Sequence, residues 1–133
     1  MQQFKTTSGA SVVINPAPWK DANAFKQVIQ REFAGMGIKM DLIADTSALL
    51  AAVMQIDSSP FVYAALFECL SRCTYNEEKI TEKTFESTEA RKDYYEIVAA
   101  CIKENILPLF VGLYSQLVIL GLVPEIQAQK PPK

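Results

Sequence analysis

The chain has 133 residues, half of them apolar and about a fifth charged, with a formal net charge of −2. That length supports one domain with its own core, and the balance is that of a globular rather than a disordered protein. The acidic sign and the lack of any Lys/Arg run argue against nucleic acid as the main partner, since phosphate binding relies on a basic surface.

The sequence contains no His. That removes His-based triads, the H-E-x-x-H zinc site and most general acid–base designs at neutral pH. The first residues show no basic region followed by an apolar core, so no secretory signal is expected and the cytoplasm is the default compartment. Cys69, Cys73 and Cys101 are an odd set, which suits free thiols in a reducing environment. Cys69 and Cys73 would share a helical face. Zinc would need two more ligands from carboxylates or Cys101, and the plainer reading is three small hydrophobes packed inside.

In chain order, Gln3 to Asn15 reads as a β-hairpin, with Phe4-Lys5-Thr6 facing Val12-Val13-Ile14 across Ser8-Gly9, where Gly takes positive φ. Asn15-Pro16-Ala17-Pro18 ends the strand and opens a helix, because Pro is tolerated in a first turn. Trp19, Ala22, Phe25, Val28, Ile29 and Phe33 trace one face of a helix from about Trp19 to Ala34. Gly35-Met36-Gly37 closes it; the lone G-x-G is read as a cap, not a nucleotide loop.

Ile38 to Ala44 reads as a connector. Asp45 then caps a short helix, Thr46 to about Gln55, with Leu49, Leu50 and Val53 turned inward. Ser59 and Pro60 start the next helix, Pro60 to Arg72. It is apolar on nearly every side, which predicts a buried central helix. Cys73 to Glu86 is polar and without helical period, so a surface loop is expected. Adjacent Glu77 and Glu78 read as a solvated face rather than a catalytic pair.

Ser87 or Thr88 caps a helix to about Asn105, with Glu89 favourable at its positive end. Tyr94, Ile97, Val98, Cys101 and Ile102 form its inner face, and Lys92, Glu96 and Lys103 lie off it. Pro108 breaks it. A last helix, about Leu109 to Leu120, stops at Gly121. The tail, Pro124 to Lys133, has no core-forming pattern and is expected to be mobile.

Ile106 to Val123 carries no charge. It is either a membrane span or a helix buried in a core and shared with other molecules. A span needs about 20 consecutive apolar residues. This segment is at that limit, is interrupted by Pro108, Gly112, Ser115, Gln116 and Gly121, and lacks a Trp anchor. The shared helix is the better reading. The expectation is a mainly α fold, a compact bundle of about five helices with a small N-terminal β-hairpin, forming one domain over residues 1–123.

No P-loop, G-x-S-x-G elbow, metal spacing, C-x-x-C or EF-hand loop occurs. No nucleophile lies in an arrangement that activates it. An enzyme and a bound cofactor are therefore not expected, and the profile is that of an interaction protein.

Three stretches carry a resemblance. The hairpin leads into Val13-Ile14-Asn15-Pro16-Ala17-Pro18-Trp19 and an amphipathic helix. The middle reads Ile80-Thr81-Glu82-Lys83-Thr84-Phe85-Glu86 and then Glu89-Ala90-Arg91-Lys92-Asp93-Tyr94-Tyr95-Glu96-Ile97-Val98. Glu104-Asn105-Ile106-Leu107-Pro108-Leu109-Phe110 follows. In combination and order they cover most of the chain and resemble the tail assembly chaperones of lambda-like long-tailed bacteriophages.

That resemblance implies a definite job. Such chaperones bind the long helical tape measure protein, keep it soluble and help load tail tube protein around it, without ATP. In many of these phages a ribosomal frameshift makes a minor, C-terminally extended form that recruits the tube protein; here the slip would fall within or just before Gln129 to Lys133. The resemblance also implies self-association, action in the host cell cytoplasm, and absence from the mature virion.

A tape measure exposes apolar helical stripes that aggregate if left bare, so its chaperone needs an apolar surface. Phe110, Leu113, Tyr114, Leu117 and Leu120 are the candidate contacts, by a helix-in-groove mode. Each also fits a residue buried in its own monomer. The rivals are a structural tail or connector subunit and a membrane-associated protein anchored by residues 106–123.

Overall fold

The computed structural model describes residues 1–37, 46–56 and 58–122. Strands β1 (Gln2–Lys5) and β2 (Ser11–Ile14) pair antiparallel, with Gln2 opposite Ile14 and Phe4 opposite Val12. This register is shifted from the expected one. Thr6 is used in the turn instead: its carbonyl accepts from Gly9 N and its N–H donates to Ala10 O, both at 2.9 Å. Gly9 sits at φ 92°, where a side chain would be strained.

Helix α1 (Trp19–Met36) begins after Pro18 and ends at Gly37, φ 74°, whose N–H reaches back to Ala34 O. Ala22, Phe25, Ile29 and Phe33 are buried as the period requires. Trp19 is a correction: it is 66% exposed. It is the first helical residue, before the helix has settled onto the core.

Helix α2 (Thr46–Gln55) buries Leu49 and Val53, and Ile56 closes it. Helix α3 (Pro60–Leu70) starts at Ser59, whose hydroxyl accepts from Val62 N and donates to Glu32 at 2.8 Å. Its expected burial on all sides holds for Val62, Leu66, Cys69 and Leu70, but Phe61 is 64% exposed. Phe61, Ala64 and Glu68 share an open face of α3, so the helix is buried on one side only.

The expected polar loop holds more order than its composition suggested. Strands β3 (Thr74–Tyr75) and β4 (Glu78–Lys79) add to the hairpin, giving a four-stranded antiparallel sheet in the order β1-β2-β3-β4. A single-turn 3-10 segment (Glu82–Glu86) follows, capped reciprocally by Thr81 and Thr84. It presents Phe85 edge-on to Phe67 of α3 and to Tyr94, at centroid separations of 6.1 and 5.1 Å. Tyr94 belongs to helix α4 (Thr88–Asn105), which Ser87 caps by accepting from Ala90 N.

Helix α5 (Leu107–Ile119) starts two residues earlier than the sequence suggested, with Pro108 in its first turn. The fold is therefore mainly α, with five α-helices among the described residues and a small sheet founded on the N-terminal hairpin. The core joins Val12 and Ile14 of β2, the inner faces of α1 to α4, and Ile106 and Phe110. Asp45, the connector before it and the tail from residue 123 lie outside the described residues.

Candidate partner-binding site

Helix α5 leaves α4 at a 49° bend and packs mainly against it. Its first inward residue, Phe110, is fully enclosed and stacks on Phe33 with centroids 6.4 Å apart. Phe110 therefore anchors the helix rather than meeting a partner. Leu113, Tyr114 and Leu117 continue the same stripe and are half-buried. Leu120, beyond the helix end, is 67% exposed.

The face left open is offset from the predicted one. Val111, Ile119 and Leu122 are 47%, 72% and 67% exposed. Val111 and Ile119 share a helical face with exposed Ser115, Leu122 follows the turn at Gly121 that ends the helix, and no charged residue lies anywhere from Ile106 to Leu122. A shallow depression of about 290 Å³, lined by Tyr114, Ser115, Val118 and Ile119, opens on this side. With Phe110 anchored inside, the opposite side of α5 is left to solvent, and that side is uncharged, with Ser115 and Gln116 among its exposed residues.

Exposed apolar residues also gather where α1 ends. Phe33 touches α5, and the adjacent Glu32 accepts the Ser59 hydroxyl at the start of α3. Met36 and Phe61, 50% and 64% exposed, follow Phe33 and Ser59, the residues that make these two contacts.

A buried polar cluster escaped the sequence reading. Asp93 on α4 is fully buried, and its Oδ2 accepts from the hydroxyls of Thr6 at 2.9 Å, Tyr75 at 2.8 Å and Ser8. Burial alone would raise its pKa. The hydroxyls of Ser8, Tyr75 and Thr6, with the Ser8 backbone, outweigh that and hold it below the usual carboxylate value. Burial, then the Asp93 carboxylate, pushes the Tyr75 hydroxyl up, so it remains a donor. Asp93 Oδ1 is enclosed without a hydrogen-bond partner. The cluster ties the hairpin turn and β3 to α4.

All three cysteines are free and buried. Contact with Cys69, then burial, pushes the Cys101 thiol well up, and burial raises Cys73. Asn105 donates to the Cys101 carbonyl at 3.0 Å and accepts from Ala17 N at 2.7 Å, joining α4 to the entry of α1. Among the described residues no three His, Cys, Asp or Glu side chains converge as metal ligands would.

No single described helix is long and apolar enough to cross a membrane; α4 and α5 reach that length and composition only as a bent pair. Comparison with known proteins gives no matching family model, no matching curated protein and no matching solved structure.

Proposed function

We propose that this chain is an ATP-independent assembly chaperone of a long-tailed bacteriophage, which binds the tape measure protein and keeps it soluble until tail tube protein covers it. The observation that carries the proposal is an uncharged helix, α5, whose outward residues Val111 and Ile119 are left uncovered, with exposed Leu122 just past its end. Such a face suits an apolar helical stripe laid against it. The resemblance over the hairpin, the middle segment and the Glu104 to Phe110 stretch supplies the identity of that stripe. On this reading the contacts are Leu113, Tyr114, Leu117 and Leu120 where they emerge, extended by Val111, Ile119 and Leu122, with Phe110 as their support.

The proposal includes a minor extended form that recruits tube protein, self-association, and action in the host cytoplasm. A structural tail or connector subunit would instead remain in finished particles, and a membrane-anchored protein would sediment with lipid.

Co-expression with the tape measure protein tests the reading. The wild-type chain is expected to hold the tape measure in the soluble fraction, and the Ile119→Asp/Leu122→Asp variant to release it to the pellet. A folded variant that solubilises the tape measure as well as wild type would sink the proposed surface. Finding the chain in purified virions would favour the structural subunit. Mass spectrometry of the products made from the gene with its native downstream DNA reads the extended form directly.

A further inference from the structure

The sheet has an open edge at β1, its outermost strand. Ser11 turns its N–H and C=O to Asn76, on the β3 side. Its cross-strand neighbour Lys5, and by the period of two Gln3, therefore turn their backbone groups to the open edge. Gln2 and Phe4 are half-buried, while Gln3 and Lys5 are exposed.

Beside this edge runs α4. The Met1 ammonium meets Glu104 at 2.7 Å, and Thr7 N donates to Glu96 at 3.0 Å, so strand and helix lie alongside each other from one end to the other. Between them is a groove of about 340 Å³ lined by Gln2, Phe4, Glu96, Ala99, Ala100 and Lys103. A strand added to β1 would place every second side chain over the two alanines.

The chain itself contains a segment of that form. Glu125-Ile126-Gln127-Ala128-Gln129 alternates polar and apolar residues, with Pro124 before it and Pro131 after it. Proline limits a strand at both ends because it cannot donate to a ladder. Ile126 and Ala128 are spaced to face the groove opposite Gln2 and Phe4. A parallel alignment brings Glu125 to the Lys103 end and Lys130 to the Glu96 end.

Reach decides whose tail it is. Helix α5 has 13 residues, about 20 Å at 1.5 Å per residue, and it carries the chain away from the groove. Leu122 folds back only as far as the Leu117 carbonyl, at 2.9 Å. The four residues from there to Ile126 span about 14 Å at most. The groove lies roughly 20 Å or more from Leu122 by the same helix geometry. The tail of the same chain falls short.

We infer that the Glu125–Gln129 segment of a second copy adds as a strand to the β1 edge, with Ile126 and Ala128 in the groove between β1 and α4. The contact is head-to-tail, so each copy keeps a free groove at one end and a free tail at the other. It gives a geometry to the self-association included in the function proposed above, and it uses neither α5 nor the tape measure protein, so its failure leaves the α5 surface untouched.

Sedimentation velocity over a concentration series tests it with three full-length chains. Wild type is expected to form a ladder of oligomers. Ile126→Asp, which alters only the tail, and Ala99→Glu, which fills the groove, are each expected to stay monomeric. An equal mixture of the two variants should give dimers and stop there, since one intact groove and one intact tail remain. A labelled peptide of residues 123–133 should bind the Ile126→Asp chain and not the Ala99→Glu chain. Wild type that stays monomeric throughout, or Ile126→Asp that assembles as wild type does, overturns the inference.

Discussion

The Tyr75 hydroxyl donates to Asp93 Oδ2 across 2.8 Å, and so joins a two-residue strand to the second turn of α4. The Thr6 and Ser8 hydroxyls meet the same oxygen. One carboxylate therefore gathers the hairpin turn, β3 and α4 around a point closed to water.

Hydrogen bonds to a charged group contribute about 1.5–3 kcal/mol each, and a buried carboxylate left short of donors is costly. Tyr75→Phe is expected to lower stability by about 2 kcal/mol and Asp93→Ala by about 3 kcal/mol or more. Urea midpoints measured at pH 7 check both. An Asp93→Ala chain as stable as wild type would mean that the cluster is decorative.

The same carboxylate gives a pH dependence. Its folded pKa is depressed, so between that value and the unfolded value of about 3.9 the unfolded chain binds more protons. The stabilisation is full above about pH 4 and is lost as pH falls through the folded value. The stability gap between wild type and Asp93→Asn should therefore be constant near neutrality and shrink at acid pH. A gap that widened on acidification would contradict the depressed value.

On α5 the two faces should respond in opposite ways. Phe110→Ala removes a fully buried ring stacked on Phe33 and is expected to cost about 3–5 kcal/mol. Ile119→Asp, at a residue 72% exposed, should stay within about 0.5 kcal/mol of wild type. Thermal melts of the two variants read this directly.

The β3–β4 turn offers a stabilising change. Asn76 and Glu77 both have positive φ, 50° and 72°, the pattern of a two-residue hairpin turn that favours Asn-Gly. Asn tolerates that region and Glu does not. Glu77→Gly is expected to raise stability by about 1 kcal/mol, seen as a higher urea midpoint.

The same turn shows where the sequence stops being legible. Helix starts were readable because Ser59-Pro60 and Ser87 carry their own chemistry, and both cap as expected. Strands β3 and β4 have two residues each, too short for any period to register, and Glu77 stands where a Gly would have announced the turn. Asp93 was invisible for a different reason: a carboxylate on a helix reads as solvated unless the distant hydroxyls of Thr6, Ser8 and Tyr75 are known to arrive. The apolar character of α5 was plain from its lack of charge. Which of its faces is free was not, because that depends on Phe110 finding Phe33 from a helix far earlier in the chain.

That distance also sets an order of events. Thr6 and Asp93 are 87 residues apart, which at about 5–20 residues per second of synthesis is a wait of roughly 4–17 s. A two-stranded hairpin is marginal in water by itself, and β2 gains its second neighbour only when Thr74 and Tyr75 have emerged. The hairpin, made well before its partners, is thus among the last elements to be secured, and in the interval its strand edges are open to any chain nearby. Nascent copies on one messenger are the nearest such chains, so crowding during translation is where this fold is most exposed to mispairing.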